Sequence, residues 1–416
     1  MQSVAQALEI VLQNAKPLPA RTAPLTTSVL GLVLAEDIAS DLDMPPFDKA
    51  MMDGFALRVS DLRNGQAELV IIEEIPAGRT PTRAVGAGQA SRIMTGAPIP
   101  QGADAVVMIE CCETLANQKV RVNEPRARPR LNILDRAKEM RVGEIVLRAG
   151  TRLRPQEFGL LAAVGRTTAR VQPAPRVAIL STGDEIVEPS ITPGLGQIRN
   201  SNGPMLQAQT ARAGADPQFL GIARDEPQHL RSLITEGLRR DVLILSGGVS
   251  AGKLDLVPGI LEELGVRALF HKVAMKPGKP VLFGVLFGRD PMGSAGLETS
   301  QTLVFGLPGN PVSSMVGFEL FVRPALRALM ALPPGPGLVQ ATLTKDHPYR
   351  TDRPTYHPAR LSWCDDAGWA VEPTAWFGSP DLRGLSPANA FVVLPEGDHV
   401  HRAGDRLPVL RVENDF

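Results

Sequence analysis

The stretch RVAILSTGDE, residues 176–185, decides the fold of the central part of the chain. Its apolar run has the length of a buried strand, and small and acidic residues follow it directly. Similar runs recur in DVLILSGGVS (241–250) and LVFGLPGNP (303–311). Apolar strands that alternate with helices predict a mostly parallel sheet covered by helices on both faces. Amphipathic segments between and after the runs predict those helices over 203–213, 226–239, 256–264 and 311–329.

The loops that leave these strands carry the residues of a ligand site. In an open α/β sheet, ligands bind outside the carboxyl ends of the strands. Glycines there let backbone N–H groups approach a phosphate, and the start of a following helix adds partial positive charge. In the last loop, Asn310 is the predicted cap of a helix that has Pro311 in its first turn. We therefore expect a phosphate-containing ligand at three loops, which contain Thr182, Gly183, Gly247, Gly248, Ser250, Pro308, Asn310 and Pro311.

One of these loops imitates a nucleotide-binding motif. Residues 247–253 satisfy GxxxxGK, the pattern that begins a P-loop. The next residue is Leu254, so the hydroxyl group that binds Mg²⁺ in a P-loop is missing. The loop therefore does not predict a nucleoside triphosphatase.

Carboxylates accumulate around the same sheet, at Asp184, Glu185, Asp225 and Asp255. Asp225 and Asp255 each precede a predicted helix, so both can be explained as N-caps. Glu185 resists this explanation because Glu is not a favoured cap residue. A cluster of acids beside a phosphate loop is typical of a site that holds a divalent cation.

Three lysines lie within eight residues in HKVAMKPGKP (271–280). A solvated basic loop is one interpretation of Lys272, Lys276 and Lys279. The prolines and the glycine that flank them favour a shaped loop instead. Lysines in such a loop serve as point charges for a phosphate or another oxyanion.

Changes in composition along the chain predict four domains. Residues 1–45 and 143–172 form a first domain, into which a β-rich domain at 46–142 is inserted. The α/β sheet occupies 173–330, and 331–416 form a small β-barrel or sandwich. The expected fold class is therefore α/β plus β, with a three-layer α/β domain, an inserted β-rich domain and a small C-terminal β-barrel-like domain.

The overall composition excludes several classes of protein. Lys+Arg 44 balances Asp+Glu 44 in the 416 residues, so no electrostatic field favours nucleic acid or a membrane surface. Cys111, Cys112 and Cys364 make no disulfide framework, and neither a signal peptide nor a membrane span is recognisable. We therefore expect a cytoplasmic protein. The scattered histidines predict no zinc site.

Motifs along nearly the whole chain resemble those of one family. In order, they are VLAEDI (33–38), PPFDKAMMDGFALR (45–58), RIMTGAPIPQGADAVVMIE (92–110), VAILSTGDEIVEP (177–189), GQIRNSN (196–202), GIARDE (221–226), DVLILSGGVSAGKLD (241–255), KVAMKPGKP (272–280) and FGLPGNPVSSMVGFELFVRPAL (305–326). Together they resemble the molybdopterin molybdenumtransferase family (MoeA), which includes the C-terminal domain of gephyrin. The resemblance implies an elongated homodimer of four-domain subunits. It also implies that adenylylated molybdopterin and molybdate give molybdenum cofactor and AMP, with Mg²⁺ assisting.

The resemblance also implies roles for particular residues. The pterin phosphate and the adenylate are expected at Glu185, Asp225, Gly247, Gly248, Ser250, Asp255 and Pro308. Lys272, Lys276 and Lys279 are expected to attract molybdate and the pyrophosphate charge. Asp53 and Thr95, which from spacing alone fit ordinary turn chemistry, are expected to reach the cleft from the second subunit. The predicted catalytic carboxylates are thus Glu185, Asp53, Asp225 and Asp255, with Asp255 and Glu185 as the predicted Mg²⁺ ligands.

Two stretches depart from the family pattern. In 132–139 (NILDRAKE), an Ala-Lys-Glu run stands where the family has Gly-Glu-Asp, which leaves an acid at Glu139 but reverses the charge beside it. Asn200 stands where the family often has an acid. The Ala-Lys-Glu run leaves open a diverged paralogue that binds or delivers the finished cofactor. An adenylyltransferase of the preceding step is a third reading, disfavoured by the extra terminal domains. The adenylyltransferase and proteins that deliver the cofactor to molybdoenzymes are further expected partners.

Overall fold

The structure, a computed structural model, describes residues 1–249, 256–288, 301–365 and 368–412. Its contacts divide the chain into two compact units: the first comprises 1–22, 31–33 and 170–416, and the second comprises 23–30 and 34–169. No helix in the described part of the chain is long and apolar enough to span a membrane.

The N-terminal helix belongs to the first unit. Helix α1 (Val4–Asn14) starts in a capping box, in which Ser3 Oγ accepts from the Gln6 backbone N–H (3.2 Å) and Gln6 Oε1 accepts from the Ser3 N–H (2.9 Å). Ala7 and Val11 of this helix are buried in the apolar cluster of the α/β sheet. Burial therefore joins residues 1–22 to the sheet, and the four-domain scheme stays a prediction.

The second unit is rich in short strands, as the pattern over 46–142 predicts. Strands β5, β6, β7, β8, β9 and β10 form one sheet in the order β8–β5–β7–β6–β10–β9. Ile145 pairs with Ala39, which confirms the predicted pairing of the first segment with the segment after 143. The elements from residue 21 to 172 are β1 (Arg21–Pro24), a 3-10 turn (Thr27–Val29), β2 (Val33–Leu34), β3 (Ile38–Ala39), β4 (Lys49–Ala50), β5 (Gly54–Leu57), a 3-10 turn (Val59–Asp61), β6 (Gln66–Ile75), β7 (Gln89–Ile93), β8 (Ala105–Met108), a 3-10 turn (Ile109–Cys111), β9 (Cys112–Leu115), β10 (Lys119–Asn123), β11 (Ile133–Leu134), β12 (Ile145–Leu147), α2 (Pro155–Ala163) and β13 (Thr168–Gln172).

The α/β sheet of the first unit has the predicted architecture. The elements from 176 to 329 are β14 (Arg176–Thr182), β15 (Ile186–Val187), β16 (Ile198–Arg199), α3 (Asn202–Arg212), β17 (Asp216–Ala223), α4 (Pro227–Gly237), β18 (Val242–Ser246), α5 (Leu256–Glu263), β19 (Arg267–Phe270), β20 (Leu282–Leu286), β21 (Thr302–Leu307), α6 (Pro311–Gly317) and α7 (Arg323–Leu329). The strand order is β17–β14–β18–β21–β20–β19, parallel from β17 to β21 and antiparallel at β20 and β19. Alternate residues of β14 belong to different apolar clusters: Val177 packs in the cluster of α1, α6 and α7, and Ala178 in that of α4 and α5. Helices therefore cover both faces.

The predicted continuous helix over 311–329 is wrong in its middle. A π-helical turn, Phe318–Val322, separates α6 from α7. Pro324 follows at the second position of α7, and it lacks the N–H that an α-helix needs for its bond to residue 320. The wider π turn accommodates this loss without ending the helix.

The C-terminal part of the first unit is a closed barrel, which decides between the predicted barrel and sandwich. Its elements are β22 (Leu338–Leu343), β23 (His347–Thr351), β24 (Thr355–Cys364), β25 (Gly368–Pro373), α8 (Leu382–Leu385), β26 (Ala390–Leu394), β27 (Gly397–His401) and β28 (Arg406–Arg411). The barrel order is β22–β25–β24–β26–β28, and β23 pairs with β27 beside it. Val371, Val392 and Val409 are fully buried in its core.

Candidate active site

The predicted loops lie side by side at the carboxyl edge of the sheet. Ser181 of β14 pairs with Ser246 of β18, and Ser246 pairs with Leu307 of β21. The chain therefore leaves three neighbouring strands at nearly the same level. This register brings Thr182, Gly183, Gly247, Gly248 and Pro308 together, as the sequence predicts.

The two glycines after β18 are required by close packing against Thr182. Gly247 and Gly248 have φ angles of +94° and +61°, in the left-handed region. A Cβ atom on Gly247 would lie 2.4 Å from the Thr182 carbonyl oxygen, and one on Gly248 would lie 2.7 Å from Thr182 Oγ1. Thr182 Oγ1 is buried and has no hydrogen-bond partner among the described residues. At the strand ends, the backbone of the two glycines therefore packs directly against Thr182, whose hydroxyl group has no partner among the described residues.

Asn202 ties these loops together, a role that the sequence pattern did not reveal. Its Nδ2 donates to Ser246 Oγ and to the Gly309 carbonyl oxygen, both at 2.7 Å. Nearby, Asn200 Oδ1 accepts from Ser181 Oγ (3.1 Å) and from the Gly203 backbone N–H (2.9 Å). The motif GQIRNSN therefore connects the strand ends. Asn200, which stands where the family often has an acid, accepts these hydrogen bonds through a neutral amide group.

Asp184, Glu185 and Asp225 lie exposed around the strand ends. Asp184 Oδ1 accepts from the Asp225 backbone N–H at 3.1 Å, which joins the loops after β14 and β17. The predicted cap role of Asp225 is wrong, because Glu226 occupies the N-cap position of α4 and no side-chain cap forms there. Asp255, the other predicted cap, lies outside the described residues, as does Ser250.

These acids are candidate ligands for a divalent cation. The described residues contain no group of three or more His, Cys, Asp or Glu side chains placed to hold a metal ion. Mg²⁺ commonly takes one or two protein carboxylates and completes its octahedron with water and substrate phosphates. Glu185 at the phosphate loops, with a bound phosphate as co-ligand, fits that chemistry.

A cavity of about 520 Å³ lies between the lysine loop and the barrel. Lys276 and Lys279 line it, and Lys272 does not. Pro308 and Asn310 also line it, which connects the cavity to the loop after β21. Asn310 occupies the N-cap position of α6, but its side chain makes no cap and instead donates through Nδ2 to Ser379 Oγ at 2.9 Å. The predicted capping by the Asn310 side chain is therefore wrong.

The barrel holds the lysine loop by its backbone. The Lys276 N–H donates to the Pro354 carbonyl oxygen (2.9 Å), and the Tyr356 N–H donates to the Lys276 carbonyl oxygen (2.7 Å). At the other end of the loop, His271 Nε2 donates to the Val249 carbonyl oxygen at 2.7 Å. The lysines are thus presented by a shaped loop, as predicted.

Residues of the C-terminal part of the chain that the sequence did not single out complete the cavity; they are Tyr349, Asp352, Arg353, His357, Trp376 and Ser379. The Arg353 guanidinium donates to both carboxylate oxygens of Asp352, at 3.1 and 2.7 Å. In the described part of the chain, neither Lys276 nor Lys279 forms an ion pair with a carboxylate, although Lys276 is near enough to the Asp352 carboxylate to help lower its pKa, after the larger effect of Arg353. Such a cavity suits an oxyanion.

The histidine in this cavity is neutral near pH 7. His357 is 5% exposed, and burial lowers its pKa to about 4. Its Nδ1 donates to the Pro358 carbonyl oxygen at 2.9 Å. The net positive charge of the cavity therefore comes from Lys276 and Lys279, because Arg353 is paired with Asp352.

Comparisons with known proteins agree along the whole chain. Residues 2–165 match the family described as MoeA N-terminal region (domain I and II), 178–328 match a probable molybdopterin binding domain, and 340–412 match the MoeA C-terminal region (domain IV). A protein of Bacillus subtilis (strain 168) named molybdopterin molybdenumtransferase is 36% identical over 390 residues, which cover 92% of this chain and 87% of the relative. A protein of Staphylococcus aureus (strain COL) with the same name is 33% identical, and the match covers 99% of this chain and 96% of the relative. This chain belongs to the MoeA family.

The fold agrees with solved MoeA structures. The crystal structure of the molybdopterin biosynthesis MoeA protein from Pyrococcus horikosii matches with a TM-score of 0.80 and 32% sequence identity, and covers 99% of each chain. The predicted family and fold class are therefore confirmed.

The remaining predicted site residues of this MoeA chain, Asp53, Thr95 and Glu139, lie in the second unit. Asp53 Oδ1 accepts from both the backbone N–H and Oγ1 of Thr95, each at 2.7 Å. The Thr95 side-chain bond, with the backbone bond next, holds the pKa of Asp53 below its usual value. Glu139, the acid in the departing Ala-Lys-Glu run, pairs with Lys49 Nζ at 3.3 Å. The structure thus joins Asp53 to Thr95 and gives Glu139 a cationic partner.

Proposed function

We propose that this chain is a transferase that inserts molybdenum into molybdopterin. In the proposed reaction, adenylylated molybdopterin and molybdate give molybdenum cofactor, and hydrolysis of the phosphoanhydride releases AMP. Its support is membership of the MoeA family and relatives named molybdopterin molybdenumtransferase. The observation that carries the proposal is the cationic cavity beside the glycine loops.

The strand-end loops are proposed to hold the phosphates of the adenylylated pterin. Gly248 has no side chain and is only partly buried, so its backbone can approach a ligand, whereas the N–H of Gly247 donates to the Leu307 carbonyl oxygen. The loop of Pro308 and Gly309 stands beside them, fixed by Asn202. Electrostatic positioning of this kind supplies much of the catalysis in phosphoryl chemistry.

Molybdate is proposed to bind in the cavity at Lys276 and Lys279. Lys276 and Lys279 together match a tetrahedral dianion in charge, because the charges of Arg353 and Asp352 offset each other. Pro308 belongs both to this cavity and to the phosphate loops, so an oxyanion here lies next to the bound pterin phosphate. Binding both substrates side by side orients them for reaction.

Glu185 and Asp255 are the proposed Mg²⁺ ligands, with Asp225 as a neighbouring acid. When bound, Mg²⁺ would neutralise charge on the phosphate oxygens. Glu185 itself fixes its own loop, since its carbonyl oxygen accepts from the Ile198 N–H at 2.8 Å. This bond fixes the backbone at Glu185, from which the exposed side chain extends.

We propose that the protein acts as a homodimer, with Asp53 and Thr95 serving the site of the second subunit. The proposal rests on the family resemblance. It is supported by the exposed apolar side chains next to Asp53 in sequence, since Phe47, Met51 and Met52 are 40%, 48% and 42% exposed. Exposed apolar side chains around a carboxylate are typical of an interaction surface.

The direct test is to mix the protein with adenylylated molybdopterin, Mg²⁺ and molybdate, and to measure AMP. We expect AMP release that requires molybdate, and running the assay with tungstate in parallel measures oxyanion preference. Absence of molybdate-dependent AMP above the blank would overturn the proposal. Tight pterin binding without AMP release would instead favour a paralogue that binds or delivers the cofactor.

Replacing Glu185 with Ala tests the carboxylate. We expect turnover to stop while the assembly state is unchanged, because Glu185 is exposed and supports no core. Glu188→Ala is the matched control, since Glu188 is exposed in the same loop. Normal turnover of Glu185→Ala would remove Glu185 from the site.

A further inference from the structure

Lys276 lies between two sets of charges. Its backbone is fixed by the barrel, as described above, but its side chain has no ion-pair partner among the described residues. It lines the cationic cavity, and it also lines a neighbouring cavity that contains Glu396 and Asp398. A flexible lysine side chain in this position can turn towards either cavity.

The ammonium group of Lys276 contacts the aromatic ring of Tyr349. Lys276 Nζ lies 5.7 Å from the centroid of the Tyr349 ring, within the range of a cation–π contact. Asp352, the carboxylate that lines both cavities, is bonded to Arg353. The ring attracts the ammonium group without neutralising its charge, so that charge stays available to an oxyanion.

The Tyr349 ring is itself held by other rings. His347 stacks on it with centroids 5.7 Å apart and an interplanar angle of 14°, and the edge of His357 meets it at 5.7 Å and 88°. His357 is in turn packed edge-on against Trp376 at 5.1 Å. Burial lowers the pKa values of His347 and His357, so this wall stays neutral and does not repel Lys276.

We propose that Tyr349 is a positioning residue that holds the Lys276 ammonium group towards the oxyanion cavity and away from Glu396 and Asp398. This inference rests on the proposed function, because it assumes that the cavity takes an oxyanion. It assigns to Tyr349 an action through Lys276, not contact with the reacting atoms. The aromatic ring is the acting group, and the phenol hydroxyl is dispensable.

The test compares variants that keep and remove the ring. Molybdate binding is measured by calorimetry, and the molybdate KM and the kcat are measured from AMP release. We expect Tyr349→Leu to weaken molybdate binding and raise the KM about fivefold, the size of a cation–π contact, with little change in kcat. Tyr349→Phe should stay within about twofold of the parent protein because the ring remains.

The chain offers a matched control. Trp369 makes a cation–π contact with Arg411 (5.4 Å) on the barrel, and neither residue lines the cavity. Trp369→Leu should leave molybdate binding unchanged even where it lowers the melting temperature. In a Lys276→Met background, Tyr349→Leu should add no further loss, since the ring acts through that lysine.

The proposal fails if Tyr349→Leu binds molybdate normally, if Tyr349→Phe is as impaired as Tyr349→Leu, or if the two substitutions at 276 and 349 add independently. Calorimetry separates these outcomes from failure of the proposed function. A protein that binds molybdate through Lys276 and Tyr349 but releases no AMP would retain the positioning role and lose the proposed reaction.

Discussion

At the scale of single residues, the loops proposed to bind phosphate depend on glycines at positions where a side chain would collide with the backbone. Gly247 sits against the Thr182 carbonyl oxygen, and its N–H donates to the Leu307 carbonyl oxygen at 3.1 Å. The same residue therefore connects all three strand ends. A side chain there cannot be accommodated by a change of rotamer, because the atom it meets is backbone.

We predict that Gly247→Ala reduces AMP release at least tenfold, since the positive φ and the contact at 2.4 Å both oppose a Cβ atom. Gly259→Ala is the control: Gly259 lies in α5, and its added Cβ would meet nothing within 4 Å. Turnover and melting temperature are measured for both. Equal activity of the two variants would contradict this account of the loop.

His357 predicts a dependence of stability on pH. Its folded-state pKa of about 4 lies below the ordinary value of 6.5, so the unfolded chain binds the proton more tightly. The stabilisation is complete above the unfolded pKa and is lost as the pH falls from about 6.5 to about 4. When the pH is lowered from 7 to 4.5, titration of His357 should therefore reduce the free energy of unfolding by roughly 2 kcal/mol.

The measurement is urea unfolding of the parent protein and of His357→Phe at both pH values. Other groups also titrate, so the quantity of interest is the difference between the two proteins. His357→Phe should lose less stability at pH 4.5 than the parent does. Identical losses would show that His357 is protonated normally in the folded protein.

At the scale of elements, the helix that follows the site is anchored by a buried charge. Glu319, in the π turn between α6 and α7, is fully buried. It pairs with Arg212 of α3, lies 3.8 Å from Arg323, and accepts from Gln209 Nε2 at 2.8 Å. This network joins α3, which carries Asn202 at its start, to the helix that begins after Asn310.

We predict that Glu319→Leu destabilises the protein by about 3–5 kcal/mol, because it leaves the partly buried Arg212 and the buried Arg323 without their carboxylate. Glu113→Ala removes an exposed ion pair with Arg121 and should cost at most about 1 kcal/mol. Denaturant unfolding measures both. A cost for Glu319→Leu no greater than that for Glu113→Ala would show that the network contributes little.

At the scale of the whole molecule, both compact units carry proposed functional residues. Glu185, Lys276 and the glycine loops belong to the first unit, and Asp53 and Thr95 belong to the second. The proposed dimer supplies a reason for this division, since each site would take Asp53 from the other subunit. That arrangement can be tested with two inactive variants.

Asp53→Ala and Glu185→Ala should each be inactive alone, and mixing them after subunit exchange should restore activity. After random exchange, half of the dimers contain one subunit of each variant. Each of these dimers has one intact site out of two, so about one quarter of the parent activity is expected for a symmetric dimer. AMP release is measured before and after exchange. Activity that stays at zero in verified mixed dimers would contradict a shared site.

Local patterns in the sequence determined the α/β sheet and its ligand loops. The apolar runs that end at Thr182, Ser246 and Leu307 predict parallel strands, and parallel strands place their carboxyl ends at one edge. Gly247 and Gly248 directly follow β18, and two consecutive glycines at a strand end predict a backbone conformation that other residues rarely adopt. The β-rich segment over 46–142 and the C-terminal barrel region follow from the same kind of local alternation.

Only the tertiary structure decided which residues surround the lysines. Tyr349, Arg353 and His357 lie 73 to 81 residues beyond Lys276. Backbone hydrogen bonds between Lys276 and the start of β24 bring them to the cavity. No periodicity relates positions so far apart, because docking depends on the shapes of two folded surfaces. Likewise, the side chain of Asn310 turned to Ser379 instead of its own helix, since a tertiary partner outcompeted the local cap. The sequence thus determined the strands and the chemistry of their loops, and the tertiary structure decided the walls of the cavity.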